Sequence, residues 1–256
     1  MQKAVFFWMC ISLDFRTMFF MTKYGIDISK HNGSIDFQKL QNSGQVDFAI
    51  LRAGYGKSAS QKDSRFEEYY SACKKSGIPV GAYWYSYAVS ESEAIQEANA
   101  FLQCIQGKQF EYPLYFDIEE KSQFALGKTK CTAITKAFLE TIEKAGYFAG
   151  IYASKSQLET YLSAEIRSRY AVWVAHYGVT QTSYNGNFGM WQKSSSGKIS
   201  GISGNVDLDE CYVDYPSVIQ SAGLNGFSQN NPSPKMTAEI TVQFNGKTFS
   251  GTITES

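Results

Sequence analysis

The chain of 256 residues is poor in metal ligands and has no excess of charge of either sign. Its two histidines, His31 and His176, are far apart, and none of its five cysteines forms a C-x-x-C pair. This pattern argues against a zinc site and a disulfide framework, so we expect neither a metal nor a cofactor. Lys and Arg together number 24, as do Asp and Glu, which excludes a basic field for nucleic acid or an anionic membrane.

Two common catalytic motifs are also missing. The stretch GYGKS (54–58) resembles the end of a phosphate-binding loop, but Leu51 stands where that loop requires its first glycine. No G-x-S-x-G sequence is present, which argues against the nucleophile elbow of serine hydrolases. His176 lies at a predicted strand end, where a hydrogen-bonding role explains it better than a catalytic one.

Aromatic residues, in contrast, are frequent, with 17 Tyr and 4 Trp in the chain. The length of 256 residues is enough for one large domain or two small ones, and the 43% of hydrophobic residues supports a sizeable core. Flat aromatic faces suit sugar rings, although core packing accounts for most such residues. The composition therefore predicts a globular protein that has aromatic side chains to spare for a binding surface.

The N-terminal segment differs from the rest of the chain. Residues 1–22 form a predicted extension, in which one lysine precedes about ten apolar residues and then Asp14 and Arg16. The apolar run is too short to span a bilayer comfortably, so we expect no integral membrane segment, and no small-residue cleavage site follows it. Residues 1–20 are therefore either an upstream extension of a start at Met21 or a signal-like segment.

The C-terminal segment also stands apart. Residues 228–236, which contain SQNNPSPK, are a predicted linker. Beyond it, residues 237–256 contain two β-type runs joined at Asn245 and Gly246, a pair typical of a hairpin turn. About twenty residues cannot fold alone, so this hairpin either packs on the rest of the protein or is the stub of a small module.

Between residues 23 and 227, short β-type runs alternate with helical patterns. The predicted strands are 24–29, 47–54, 78–86, 112–119, 147–154, 171–177, 188–193 and 205–210. Predicted helices follow the first five strands, at 36–44, 64–76, 91–106, 129–145 and 155–163, and 217–224 is a closing helix. The fold class is thus α/β: an irregular TIM-like barrel of eight strands with helices mainly after the first five, plus a C-terminal β-hairpin.

The fourth predicted strand, within YPLYFDIEE (112–120), carries two acids in an otherwise apolar run. Because side chains alternate along a strand, Asp117 and Glu119 share one face with Tyr115. The other face carries Leu114, Phe116 and Ile118. Two carboxylates on one face of a buried strand repel each other and lose hydration, and this strand has no Lys or Arg to pair with them. Either a neighbouring group neutralises the pair or the pair serves chemistry.

Two further acids have corresponding positions. Asp27 ends the first predicted strand and Asp207 ends the eighth, and these strands are neighbours in a closed barrel. Each alone could equally be an ion-pair partner or a helix cap, and Arg52 could either reach inward or pair with Asp63. Together the four acids would meet at the mouth of the barrel, where repulsion leaves one of them protonated. A carboxylic acid beside a carboxylate is the equipment for cleaving a glycosidic bond.

Aromatic residues at the strand ends are candidates for holding a sugar. For each one alone, core packing is the simpler explanation, but as a group they support a saccharide cleft. The candidates are Tyr55, Tyr83, Trp84, Tyr85, Tyr152, Trp173, Tyr177 and Trp191.

Over residues 24–212 the sequence resembles the lysozymes of glycoside hydrolase family 25, of the phage endolysin and bacterial N-acetylmuramidase type. The resemblance lies in YGIDISKHNGSIDF (24–37), FAILRAGYGKS (48–58), GIPVGAYWYSYA (77–88), PLYFDIEE (113–120), GYFAGIYAS (146–154), VWVAHYG (172–178) and MWQKSSSGKISGISGNVDLDE (190–210). It implies a catalytic barrel over 23–227 that hydrolyses the β-1,4 bond between N-acetylmuramic acid and N-acetylglucosamine in peptidoglycan. It also implies a monomer that acts on the bacterial cell wall after secretion or lysis.

The resemblance also implies roles for the acids. Glu119 matches the general acid of the family, and Asp27, Asp117 and Asp207 match its other acidic site residues. Asp117 would orient the acetamido group of the substrate or stabilise positive charge, while Asp27 and Asp207 would tune Glu119. Attack by the acetamido group on its own anomeric carbon, without a covalent enzyme bond, is compatible with this arrangement.

The sequence departs from the family at two positions, and two rival functions are open. Trp84 stands where the family often has His, and Asp209 where it commonly has Asn, but neither change removes a site acid. A chitinase-like hydrolase would need D-x-x-D-x-D-x-E on the fourth strand, where Tyr112 and Tyr115 occupy the first two acidic positions. A catalytically silent wall-binding module is the non-enzymatic alternative.

Overall fold

The structure is a computed structural model that describes residues 21–228, 237–244 and 247–254, with side chains described for 21–228. The predicted extension over residues 1–20 and most of the predicted linker, residues 229–236, lie outside this part.

Eight strands form a closed barrel in which the strands follow one another in chain order. They are β1 (Lys23–Ile28), β2 (Phe48–Tyr55), β3 (Val80–Tyr85), β4 (Leu114–Asp117), β5 (Ala149–Ser154), β6 (Ala171–Ala175), β7 (Met190–Gly197) and β8 (Val206–Cys211). Strands β1 to β7 run parallel, whereas β8 runs antiparallel to both of its neighbours, β7 and β1. The predicted eight-stranded barrel is confirmed.

Helices cover the outside of the first five strands and follow β8. They are α1 (Phe37–Asn42), α2 (Phe66–Lys75), α3 (Glu91–Ile105), α4 (Lys121–Phe124), α5 (Gly127–Lys144), α6 (Lys155–Tyr161), α7 (Ala164–Arg169) and α8 (Tyr215–Ser221). The described segments between β6 and β7 and between β7 and β8 contain no helix, as the sequence predicts. Ser90 caps α3, because its hydroxyl accepts the N–H of Glu93.

Two helical segments differ from the prediction. The helix predicted at 129–145 begins at Gly127, and the short α4 precedes it. The helix predicted at 155–163 is two helices. Leu162 is extended, with φ −116° and ψ 142°, which ends α6. The Ser163 side chain then caps α7 by accepting the N–H of Ile166.

The alternation of side chains along the strands builds two apolar layers. Outward-facing residues such as Phe116 pack beneath the helices, in the main core. Inward-facing residues fill the lower part of the barrel, where Phe48 stacks on Tyr112 with ring centroids 4.4 Å apart. Tyr215 and Ile219 of α8 belong to the same inner cluster and close the lower end. The open end of the barrel is therefore the one where the parallel strands finish.

The C-terminal segment contains β9 (Thr237–Phe244) and β10 (Lys247–Thr254). These strands pair antiparallel, with Phe244 opposite Lys247, in agreement with the predicted hairpin. The turn residues Asn245 and Gly246 lie outside the described residues.

No helix among the residues that the structure describes is long and apolar enough to cross a membrane. Four cysteines, Cys73, Cys104, Cys131 and Cys211, are free thiols in buried positions. Burial raises the pKa of Cys73 and that of Cys211 to about 12, so these thiols are chemically quiet.

Candidate active site

A cavity of about 410 Å³ opens at the upper end of the barrel. The four predicted acids, Asp27, Asp117, Glu119 and Asp207, all line it. Asp27 and Asp117 are only 5% and 3% exposed, whereas Glu119 and Asp207 are half-buried. The structure therefore brings together acids that lie as far as 180 residues apart in the chain.

The strands place three of these acids at the mouth by their phase. Asp27 is the last inward-facing residue of β1, and Asp117 is the last residue of β4. Glu119 follows β4, but Ile118 still donates its N–H to the carbonyl of Tyr152 on β5 (3.1 Å). This bond keeps the chain extended beyond the end of β4, so Glu119 continues the inward phase of Asp117.

Asp207 reaches the mouth in a different way from the one predicted. The sequence interpretation placed it at the end of the eighth strand, but it is the second residue of β8. Because β8 is antiparallel to β1, its beginning lies beside the end of β1, and Asp207 pairs directly with Asp27. Asp207 therefore lies at the mouth as predicted, but near the beginning of its strand and not at its end.

Burial and mutual repulsion shift the proton affinities of these acids. Burial raises the pKa of Glu119 to about 7, and the charges of Asp207 and Glu120 add to the effect. Burial also raises the pKa of Asp207 to about 6. For Asp117, burial and then the Glu119 charge raise the pKa well above its usual range, against the opposing effect of Arg52. The cavity thus keeps protonated carboxyl groups near neutral pH, next to carboxylates.

Arg52 satisfies both alternatives that the sequence left open. Its Nε donates to Asp63 Oδ2 (2.7 Å), and its side chain also lines the cavity. Both oxygens of Asp63 accept the Lys30 backbone N–H (3.1 Å each), and Asp63 is 2% exposed. Arg52 is therefore fixed by a buried partner and presents a cation near Asp117.

Gln192 is a site residue that the sequence analysis missed. Its Oε1 accepts the hydroxyl of Tyr152 (2.6 Å) and that of Tyr177. The two hydroxyl donors orient the amide, so Nε2 faces Asp27 and donates to its Oδ2 (2.6 Å). The alternation of the strand that contains MWQK provides a signal, because it places Gln192 on the inner face and Trp191 on the outer face.

Five predicted aromatic residues line the cavity, and they are Tyr83, Tyr85, Tyr152, Trp173 and Tyr177. Tyr55 lies outside it. It lines an adjoining cavity of about 430 Å³, which shares His31, Arg52 and Tyr85 with the first.

Two predicted aromatic residues, Trp84 and Trp191, do not reach either cavity. Trp84 stacks on Phe101 of α3 and donates its Nε1–H to the carbonyl of Gly56 (2.9 Å). Trp191 packs in the main core and donates its Nε1–H to the carbonyl of His176 (2.9 Å). Both have outward phase on their strands, so their assignment to a saccharide cleft is corrected by the structure.

Further polar residues complete the walls of the first cavity. They are Ser29, His31, Asn32, Ser195 and Asn205. His176 is not among the lining residues, and its Nδ1 is 3.1 Å from the hydroxyl of Thr182. This contact agrees with the hydrogen-bonding role expected for His176.

Comparison with known proteins identifies a matching family and a similar protein. Residues 26–202 match the model of the family described as Glycosyl hydrolases family 25. An autolytic lysozyme of Clostridium acetobutylicum is 28% identical over 188 residues, which cover 73% of this chain. The chain spans only 55% of the length of that relative.

Two solved structures are similar in fold and sequence. The CTP1L endolysin has 29% identity and a TM-score of 0.67, over 77% of this chain and 68% of its own. The modular autolysin LytC from Streptococcus pneumoniae, solved with a synthetic peptidoglycan ligand, has 29% identity and a TM-score of 0.67. That match covers 75% of this chain and 47% of the autolysin.

Proposed function

Because the chain belongs to the glycosyl hydrolases of family 25, we propose that it is a lysozyme acting on bacterial peptidoglycan. The bond cleaved is the β-1,4 linkage between N-acetylmuramic acid and N-acetylglucosamine. The observation that carries the proposal is that Glu119 lines one cavity together with Asp27, Asp117 and Asp207, where burial raises its pKa to about 7. Similarity to an autolytic lysozyme and to an autolysin solved with a peptidoglycan ligand supports the same substrate.

Glu119 acts as the general acid. Its raised pKa keeps it protonated under mildly acidic to neutral conditions, where it can give its proton to the glycosidic oxygen as the C–O bond breaks. The half-buried position leaves one side of the carboxyl group open to a substrate in the cavity.

Asp117 contacts the sugar on the other side of the scissile bond. Its Oδ1 is buried and has no hydrogen-bond partner among the described residues, while the residue itself lines the cavity that would receive the substrate. We assign it to orienting the acetamido group, and its charge, when present, stabilises the positive charge that develops at the anomeric carbon. Asp207 raises the pKa of Glu119, and Gln192 holds Asp27 in place.

The aromatic walls would hold the glycan chain across these acids. Tyr83, Tyr85 and Trp173 line the cavity, and Tyr55 lines its extension. We also propose that the protein acts on the cell wall, after secretion or release by lysis, and that it does so as a monomer. Size-exclusion chromatography with light scattering tests the last point.

The Glu119→Gln variant tests the proposed function. Loss of a general acid reduces turnover by about 10²- to 10⁴-fold, so clearance of a bacterial cell-wall suspension should nearly stop. Glu91→Gln is the matched control, because Glu91 is exposed at the beginning of α3 and lines neither cavity. Clearance by E119Q at the wild-type rate would refute the assignment of the acid.

The products test the bond. Mass analysis of muropeptides released by the wild type should find muramic acid at the reducing end. Glucosamine at the reducing end would refute the bond specificity. Binding to walls without release of any reducing sugar would favour the silent wall-binding module instead.

A further inference from the structure

A fifth carboxyl group, that of Asp209, lies next to the acids of the cavity. Asp209 follows Asp207 by two positions on β8, so both side chains are on the inner face of the barrel. It is 1% exposed and is not among the residues that line the cavity. Asp209 therefore sits deeper in the barrel than Asp207.

Only one oxygen of Asp209 has a hydrogen-bond donor. Oδ1 accepts the indole N–H of Trp173 (2.8 Å). Oδ2 is buried and has no partner among the described residues. A buried carboxylate oxygen without a donor is costly, so this oxygen requires either a donor or a proton of its own.

The carboxyl group of Asp27 is the acceptor for such a proton. Gly25 pairs with Asp209 and Asp27 pairs with Asp207, which makes Asp27 the diagonal neighbour of Asp209 on one face. The two carboxyl groups are near enough for the charge of Asp209 to raise the pKa of Asp27. Gln192 Nε2 already serves one oxygen of Asp27, Oδ2, at 2.6 Å.

The surroundings of the pair are apolar below and acidic above. Gly25 has no side chain, and the ring of Phe48 fills that space, 2.3 Å from the position a Cβ would take. Other titratable groups near the pair are Tyr83, Tyr115, Asp117, Tyr152, Tyr177, Asp207 and Cys211, of which none supplies a positive charge. The nearby cation, Arg52, is paired with Asp63.

We propose that Asp209 and Asp27 share one proton, so that Asp209 is a positioning residue that holds Asp27 beneath the cavity. As a statement about catalysis, this inference rests on the proposed function. Trp173 donates to Oδ1 of Asp209, and Gln192 donates to Oδ2 of Asp27. The shared proton joins the other oxygen of each carboxyl group, Oδ2 of Asp209 and Oδ1 of Asp27. The pair then carries one negative charge instead of two in a buried site.

The proton affinities agree with this arrangement. Burial and then the Asp209 charge raise the pKa of Asp27 well above its usual range. Burial likewise raises the pKa of Asp209, its hydrogen bond from Trp173 lowers it, and the charge of Asp207 raises it further. No chemical bond other than the O–H bond is made or broken by sharing the proton.

Asp209→Asn and Asp209→Leu are the matched variants. Asparagine keeps the size and supplies an N–H to Asp27 but cannot titrate, whereas leucine supplies no donor. Infrared spectra at neutral pH should show one protonated carboxyl C=O band in the wild type that is absent in D209N. An unchanged set of carboxyl bands in D209N would overturn the shared proton.

Stability as a function of pH gives a second test. The pair has a raised folded-state pKa, so its contribution is complete below the unfolded value and is lost as pH rises through the folded value. In that window the unfolding equilibrium of the wild type should become less favourable to the folded state than that of D209N, by up to about tenfold per pH unit. Parallel curves for the two proteins would contradict the proposal.

Activity on peptidoglycan separates positioning from packing. Removing the donor leaves buried polar atoms unpaired, so D209L should lose at least about tenfold more kcat than D209N, with little difference in KM. Equal activity of the two variants would refute the positioning role. The infrared and unfolding tests need no activity, so a wild type that does not cleave peptidoglycan would refute the proposed function and leave the shared proton to be judged on its own.

Discussion

Phe116 and Asp117 are adjacent on β4 and almost equally buried, at 0% and 3% exposure, yet burial has opposite consequences for them. Phe116 points outward and packs on Phe138 of α5, with ring centroids 4.5 Å apart, which stabilises the fold. Asp117 points into the cavity, where burial raises its pKa and the charged form is penalised. Burial in the outer layer of this barrel stabilises the structure, whereas burial at the mouth disfavours the charged form of the carboxyl groups there.

Truncation of the outer layer should cause the largest change in stability. Phe116→Ala should lower the free energy of unfolding by about 3–5 kcal/mol, because it leaves a cavity between β4 and α5. Urea denaturation measures this loss. Equal stability of F116A and the wild type would contradict the stabilising role of the outer layer.

The neighbouring substitution at the mouth should have the opposite profile. Asp117→Asn should reduce the rate of peptidoglycan hydrolysis by roughly 100-fold, since it removes a carboxyl group assigned to the substrate. It should leave the free energy of unfolding unchanged or higher, because a penalised buried charge is gone. Turnover and urea denaturation of the same sample decide between this profile and a general loss of folding.

The pH profile sharpens the contrast within the mouth. Protonated Glu119 is the active form, so kcat/KM should fall on the alkaline side with a midpoint near its pKa of about 7. Asp207, with a pKa of about 6, is ionised there and repels the Glu119 charge. Asp207→Asn should therefore move the alkaline midpoint to lower pH, by roughly one unit. An unchanged midpoint in D207N would show that the charge of Asp207 does not raise the pKa of Glu119.

The free energy of unfolding of the wild type should also depend on pH through Glu119. The folded pKa of Glu119, about 7, lies above its ordinary value of 4.5. Its contribution to stability is therefore complete below pH 4.5 and is lost as pH rises towards 7. Urea denaturation across this range should show a flatter curve for E119Q than for the wild type. Parallel curves would count against the raised pKa.

The smallest expected effect concerns the aromatic walls. Tyr85 lines the cavity and donates its hydroxyl to Glu120 Oε1 (2.8 Å). Tyr85→Phe keeps the ring and should change KM by less than about threefold, whereas Tyr85→Ala should raise it by about tenfold. Initial rates on cell walls at several substrate concentrations measure both. Equal KM values for the two variants would remove Tyr85 from the substrate-binding surface.

Strand alternation made much of the barrel predictable. The phase of YPLYFDIEE correctly put Leu114, Phe116 and Ile118 in the outer core and Tyr115 inside the barrel. The same rule applied to the third and seventh strands would have excluded Trp84 and Trp191 from the cleft. Their assignment failed because position at a strand end was weighed without the phase of the strand.

Other features could not follow from local pattern. The reversal of β8 depends on how the barrel closes, and the run NVDLDE has the same alternation in either direction. Gln192 is polar and lies in a strand, but its role depends on Tyr152 and Tyr177, which come from two other segments. The split of the predicted helix 155–163 depends on the local conformation of Leu162.

The sequence by itself determined the eight strands, the helices after the first five, and the placement of the acids on inward-facing positions. These properties depend on side-chain periodicity, which is local. Tertiary structure alone decided which of those acids share one cavity, how burial raises their pKa values, and that Asp209 lies diagonally beneath Asp27. Desolvation and charge repulsion act through space over a few ångströms, and only closure of the barrel sets those separations.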